Sequence, residues 1–285
     1  MYYRIYLNWI WVYIHLILFS LYEAVVIIFM IIRYNGITVL YTEKTLVMNN
    51  EYNQFNQPVG HSLPHWNGCD APTQSVLNGQ YCRLERVSAA HADDLFEAYQ
   101  LPGSEKDWTY LPAGPFNDRP EFERHFNAIL ASVDPLHYAV VDLATGKAIG
   151  TVALMRIDAK NGVIEMGWVV YSRALMRTRM ATEAQFLLMS YVMDNLHYRR
   201  YEWKCDSLNE GSRKAALRLG FKFEGLFRNA TVYKGRTRDT AWFSIIDEEW
   251  PEVRNALVSW LSSDNFDNQG QQRHSLNEIR NNTVA

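Results

Sequence analysis

The chain is poor in cysteine. Cys69, Cys82 and Cys205 are the only three in 285 residues, and no two are spaced as C-x-x-C. An odd, sparse set argues against a disulfide framework and a zinc knuckle, and points to a reducing compartment. The eight histidines form no H-E-x-x-H pattern and no clustered metal spacing, so no metal is expected. Charge of one sign is lacking as well. The net charge is −3 and no long basic block occurs, which gives no case for a nucleic-acid partner.

What the chain does have is apolar mass: 48% of its residues are hydrophobic, enough for a sizeable core. Four regions follow one another. In residues 1–47, nearly every position from Ile10 to Ile32 is apolar or aromatic; His15 and Glu23 interrupt the run, and Arg4 and Arg33 flank it. The run reaches the roughly 20 residues that a bilayer-crossing helix needs. It lacks the small-residue cleavage site of a signal peptide. Two readings stay open. One is a single N-terminal membrane anchor tethering a cytoplasmic domain. The other is an untranslated upstream extension, with the hydrophilic stretch at Met48 as the true start. Residues 48–77, rich in Asn, Gln, Pro and Gly, read as an irregular polar arm. Residues 78–262 carry the periodic patterns of a domain. Residues 263–285, polar and rich in Asn and Gln, read as a disordered tail.

Within the domain, alternation over Gln80–Val87 predicts a strand. Ser88 then offers a helix cap before the apolar face Ala92, Leu95, Phe96, Tyr99. Arg119–Ala131 is a second helix. His137–Asp142, Ala148–Ile157 and Val163–Tyr171 are strands. Ala181–Leu196 is a long helix, Tyr201–Cys205 a short strand, and Ser212–Leu219 a short helix stopped by Gly220. Phe221–Val232 and Thr240–Ile246 finish the sheet before a last helix over Asp247–Leu261. A meander followed by alternating strands and helices implies a mixed α/β sheet with helices on both faces.

The most informative stretch runs from Glu165 to Gly225. A strand leads through Ser172–Met180 into a helix opening at Ala181-Thr182-Glu183. Such a unit aims free backbone N–H groups and a helix dipole at one spot, a natural seat for phosphate. Arg173, Arg177 and Arg179 add charge around the turn. By itself the pattern is more often an ordinary βα loop with solvated arginines, because many helix N-termini hold no ligand.

The ordered pieces Ile164-Glu165-Met166-Gly167-Trp168, Ala181-Thr182-Glu183-Ala184, Asn209-Glu210-Gly211-Ser212, Leu217-Arg218-Leu219-Gly220-Phe221 and Glu224-Gly225 resemble the GCN5-related N-acetyltransferases (GNAT). Trp108-Thr109-Tyr110-Leu111-Pro112 and Gly114-Pro115-Phe116 look like a loop of their ribosomal-protein N-terminal acetyltransferase branch. The resemblance covers Tyr81 to about Ile246. It implies a splayed strand pair, acetyl-CoA as co-substrate, and an amine acceptor. That acceptor is a protein N-terminus, ribosomal in the similar branch, or a small molecule. It also implies that backbone groups near Trp168, Val169 and Val170 pair with the pantetheine arm. The pyrophosphate would sit on the N–H groups of Arg177, Thr178, Arg179, Met180, Ala181 and Thr182. Asn209 would bond the pantetheine, and Ser212 would lie near the thioester sulfur. One departure stands out. Where the family's phosphate loop reads Gln/Arg-x-x-Gly-x-Gly/Ala, this chain has Met176-Arg177-Thr178-Arg179-Met180-Ala181. An arginine replaces the glycine that lets backbone approach phosphate.

Transfer to an amine requires loss of a proton from nitrogen, stabilisation of an oxyanion and protonation of the leaving thiolate. Glu165 is the candidate base and Ser212 the candidate donor to sulfur, with Tyr233 a weaker acid. A salt-bridged Glu165 and a capping Ser212 are the structural alternatives. Asp239 and His137, and the aromatics Trp108, Tyr110 and Phe116, are candidates for lining the acceptor pocket or for structural roles. Cys205 has no histidine beside it in sequence and reads as a buried thiol. The altered loop leaves an alternative function, a catalytically degenerate CoA-binding or regulatory module, and the run Ile10–Ile32 motivates a third, a membrane-tethered interaction protein.

Overall fold

The computed structural model describes the backbone of residues 25–34, 37–46 and 283, and residues 51–282 with their side chains. The chain divides into a unit up to Trp66 and a unit from Asn67 onward. In the first, β1 (Val25–Tyr34) pairs antiparallel with β2 (Ile37–Leu46), from Val25 opposite Leu46 to Tyr34 opposite Ile37. The short strands β3 (Glu51–Tyr52) and β4 (Pro58–Val59) also pair. The expected anchor, Ile10–Ile32, lies outside the described residues up to residue 24. Its end is strand rather than helix, as suits the β-branched run Val25-Val26-Ile27-Ile28. No helix among the described residues is long and apolar enough to cross a membrane.

The second unit runs β5 (Val76–Asn78), β6 (Cys82–Arg86), α1 (Ala92–Tyr99), α2 (Arg119–Ala131), β7 (Leu136–Asp142), β8 (Ala148–Asp158), β9 (Val163–Tyr171), α3 (Arg179–Ser190), β10 (Arg200–Asp206), α4 (Glu210–Leu219), β11 (Lys222–Tyr233), β12 (Arg236–Ile246), α5 (Trp250–Leu261) and α6 (Leu276–Thr283). Its strands form one mixed sheet in the order β11-β12-β10-β9-β8-β7-β6-β5. All neighbours are antiparallel except β9 and β10.

Side-chain alternation distributes the core over both faces. Tyr138 and Val140 of β7 join the larger cluster, which takes in α3, α4 and α5; Ala139 and Val141 join a smaller, aromatic cluster with Leu95 and Tyr99 of α1 and Phe122 and Phe126 of α2. A bulge in β9 changes its parity. Ala153 pairs with Gly167 and Thr151 with Val170, so Trp168 and Val169 together oppose Val152. Trp168 takes φ +46° to make the bulge. Ile164 and Met166 therefore pack toward α3, and Val170 toward α1.

Two expected boundaries shift. Val76 and Leu77, placed in the arm by composition, form the edge strand against β6. The tail expected to be disordered is instead ordered to Thr283. Its polar residues do buried work: Asn265 is 7% exposed, donates to the carbonyls of Trp260 and His274, and accepts from the His274 N–H. Leu276 is buried at 1% exposure, and the indole N–H of Trp260 donates to Gln272. Composition alone cannot tell an amide that solvates a tail from one that satisfies a core.

Candidate active site

The parallel ladder between β9 and β10 holds for four residue pairs, from Val163–Arg200 to Met166–Trp203, and then stops. Beyond it the strands diverge. A groove of about 1480 Å³ opens there, lined by Trp168 and Val169 on one side and Lys204, Cys205 and Asp206 on the other. Unpaired strand edges of this kind offer backbone donors and acceptors to an extended ligand.

One end of the groove reaches the start of α3. The Thr178 hydroxyl caps this helix by accepting from the Ala181 N–H at 3.1 Å, and no acidic residue sits in its first turn. Arg177, with φ +61°, precedes the cap. The Arg179 side chain lies between two rings, its guanidinium carbon 4.6 Å from the Tyr81 centroid and 3.3 Å from that of Phe266; it also donates to the Tyr81 hydroxyl at 2.7 Å. Arg218 stands 4.6 Å over the Trp260 ring and donates to Thr182. Burial and the nearby Arg280 hold the Arg218 pKa down. Arg177, Arg179 and Arg218 all line the groove, and none forms an ion pair with a carboxylate among the described residues. Arg173 does not join them, because Asp107 pairs with it at 2.5 Å. Phe266, Gly270, Gln271 and Gln272 place the ordered C-terminal segment on the wall of the groove.

Behind α3, the buried Glu183 accepts from the N–H groups of Gln80 (2.7 Å), Tyr81 (2.8 Å) and Cys82 (2.8 Å). This fixes the helix start against the β5–β6 turn. Gly79 leaves room for it, since a Cβ there would meet the Glu183 carboxyl carbon at 2.6 Å.

At the middle of the groove, the Asn209 side chain caps α4 by accepting from the Ser212 N–H at 3.0 Å. The Ser212 hydroxyl accepts from the Trp203 indole at 2.9 Å, and its own proton is within reach of the Cys205 sulfur. Cys205 is 6% exposed and burial pushes its thiol up. A thiol so raised is a poor nucleophile.

Glu165, the candidate base, is ion-paired through its Oε2 oxygen. Its carboxylate meets Lys204 at 2.9 Å and Arg156 at 3.1 Å. Lys204 also pairs with Glu202 at 2.7 Å; Glu202 pairs with Arg200 at 2.7 Å, and Arg200 with Glu224 at 2.5 Å. Three carboxylates and three cations thus balance along one sheet face. Burial pushes the Glu165 carboxyl up, and Lys204 draws it back. Glu165 is thus buried and salt-bridged, and it also lines the groove. Tyr233 donates to Asp206 at 2.7 Å, and burial with that bond raises its phenol to about 12.

The other candidates separate. Glu165, Trp168, Val169, Arg177, Thr178, Arg179, Ala181, Thr182, Asn209 and Ser212 share the groove, as does Tyr110. Val170 does not: its side chain packs with the α1–α2 cluster, and its backbone pairs with Thr151. Met180 packs against the larger cluster. Trp108 and Phe116, 3% and 6% exposed, plug the smaller core. His137 lies beneath Trp168, off the groove, and burial holds its imidazole down at about 4. Asp239 accepts from the Asn229 N–H in the β11–β12 hairpin. Sequence reasoning missed Lys234, which bridges that hairpin to the α1–α2 connection by donating to the carbonyls of Trp108 (2.8 Å) and Gly114 (2.7 Å). The Lys234-Gly235 turn dipeptide was the available signal. It also missed Asp206 and Arg218.

A mixed sheet splayed at its one parallel pair, beside a capped helix start with unpaired guanidinium groups, is the architecture of an acyl-CoA-dependent N-acetyltransferase. The model of the acetyltransferase (GNAT) domain matches residues 82–222. A GCN5-related N-acetyltransferase from Brucella melitensis has a similar structure, with 48% identity, 77% of this chain and 100% of that chain covered, and a TM-score of 0.76. An uncharacterized N-acetyltransferase, p20, from Bacillus licheniformis is 26% identical over 59% of this chain and 93% of its own length. A putative ribosomal-protein-serine acetyltransferase from Vibrio cholerae, 22% identical with a TM-score of 0.52 over 60% of this chain and 97% of that one, has a similar fold. The chain belongs to the GNAT family of N-acetyltransferases.

Proposed function

We propose that the protein moves an acetyl group from acetyl-CoA to a primary amine, on a protein N-terminus or a small molecule, in a reducing compartment such as the cytoplasm. The observation that carries this reading is the abrupt end of the β9–β10 ladder, which opens a groove leading to the start of α3. The residues present suit the co-substrate. Free strand edges near Trp168 and Val169 match an amide-bearing arm. The first N–H groups of α3, with Arg177, Arg179 and Arg218, match a chain of phosphates. Arg179, in the usual glycine position, has its side chain carried outward between Tyr81 and Phe266, which leaves the helix start accessible.

Acetyl-CoA supplies an activated acyl carbon and a thiol leaving group. Ser212, already an acceptor for the Trp203 indole, holds a hydroxyl proton for the sulfur. Lys204 neutralises Glu165, which supports a structural role for that glutamate and argues against its acting as base. The printed description of the Vibrio relative makes a ribosomal-protein serine one acceptor to try. The test is calorimetric titration with acetyl-CoA and free CoA, followed by a screen of amine acceptors. Micromolar binding, about −8 kcal/mol, and acetyl transfer are expected. Binding without transfer to any amine would favour a degenerate CoA-binding module, and no binding by folded protein would remove the groove from consideration.

A further inference from the structure

On β10, Glu202, Lys204 and Asp206 share one face, while Tyr201, Trp203 and Cys205 pack with the α3–α5 cluster on the other. Glu165 of β9, in register with Glu202, looks out on the same face as Asp206. The two carboxylates nonetheless differ in charge balance. Glu165 belongs to the neutral chain of six ionised groups. Asp206 is the next residue along that face, roughly 7 Å beyond Lys204, and it is outside the chain.

Asp206 is 5% exposed and lines the groove. Its two oxygens accept from neutral donors, the Tyr233 hydroxyl at 2.7 Å and the Leu208 N–H at 2.9 Å. Thr240 is its cross-strand partner on β12. Arg238, further along β12, donates to the Thr240 hydroxyl and stands 5.9 Å from the Tyr233 ring. No ion pair to Asp206 forms among the described residues. Neither of these hydrogen-bond donors brings a charge that would offset the carboxylate's own. A cation supplied by a ligand would be strongly favoured there.

We propose that Asp206, and not Glu165, meets the acceptor nitrogen, drawing the substrate in as its ammonium and fixing it beside the diverging strands. Tyr233 is the positioning residue that holds the carboxylate. The assignment rests on the acetyltransferase reading and adds the chemistry of its acceptor end: a protonated primary amine with no carboxylate beside the reacting nitrogen.

Two thioether analogues of CoA test it with the full chain and without knowledge of the natural acceptor. S-(2-aminoethyl)-CoA carries an ammonium two carbons from sulfur; S-propyl-CoA is its neutral counterpart. The wild type should bind the ammonium analogue at least about tenfold more tightly. Asp206→Asn should abolish that preference while binding S-propyl-CoA as well as wild type does, which also reports that the variant is folded. Asp206→Ser is the second neutral variant should the first be unstable, and Asp206→Glu should keep part of the preference. Equal binding of the two analogues by wild type would overturn the inference. So would loss of the preference in Glu165→Gln with its retention in Asp206→Asn. Failure of wild type to bind either analogue would instead overturn the acetyl-CoA reading, and this assignment with it.

Discussion

Glu183→Gln is a small change with a large expected cost. The carboxylate accepts three backbone N–H bonds from consecutive residues, one on Oε1 and two on Oε2, in a site 5% exposed. A glutamine has one oxygen. The better orientation keeps it on Tyr81 and Cys82 and turns the amide NH2 toward the Gln80 N–H. The part-buried Gln80 N–H then goes unpaired, which costs up to about 3 kcal/mol. The two surviving bonds lose their charge assistance, about half their strength. Together these effects remove about 3 kcal/mol, or about 6 to 12 °C in Tm for a domain of this size. Urea unfolding followed by tryptophan fluorescence measures it. Because the same contact sets the start of α3 against the β5–β6 turn, the affinity for acetyl-CoA should fall too. A loss of stability under about 1 kcal/mol would refute the reasoning, since three charge-assisted bonds could not then be holding this helix.

Arg179→Glu replaces an unpaired cation beside the start of α3 with an anion. Affinity for acetyl-CoA, read by calorimetry, should fall more than about tenfold, and an unchanged value would remove Arg179 from the site. Ser212→Ala should lower kcat by about a hundredfold while leaving the acetyl-CoA dissociation constant nearly unaltered; a parallel loss of affinity would assign Ser212 to binding. Burial holds His137 neutral down to about pH 4 in the folded state, whereas the unfolded imidazole takes a proton below about 6.5. The unfolded state therefore binds more protons between these values, and stability should decline as pH falls through that window, by about 3 kcal/mol at pH 4. His125, also held down by burial, acts in the same direction. His137→Phe should flatten the decline, and an unchanged slope in urea midpoints would sink the assignment.

The fold was legible wherever local pattern and tertiary demand agreed. The apolar face of α1, the span of α2 and the stop of α4 at Gly220, with φ +107°, appear in the sequence as periodicity and punctuation. The phosphate end was legible because its parts are contiguous, from Arg177 to Thr182. The acceptor end was not. Glu165 meets Lys204 only because β9 and β10 align in parallel for four pairs, and Arg156 only because β8 bulges beside Asp158. The isolation of Asp206 follows from where that alignment ends. Trp108 and Phe116 looked like candidates for the site until packing made them core. The C-terminal segment misled for a different reason. Its apolar residues, Phe266, Leu276 and Ile279, are too widely spaced to read as a core pattern, and Asn265 and Gln272 find buried partners that composition does not reveal.

The end of the β9–β10 ladder also has a kinetic signature. In a continuous sheet, interior amides exchange with solvent only when the structure opens. Past Met166 and Trp203 the edges that face the gap lack that protection, so their N–H groups should exchange rapidly with deuterated water in the free protein. An extended ligand inserted between the strands would restore the missing rungs and slow exchange at those amides on both sides of the gap, while the four paired positions changed little. The seam thus carries its own isotope readout of occupancy, usable with any ligand and without a known reaction.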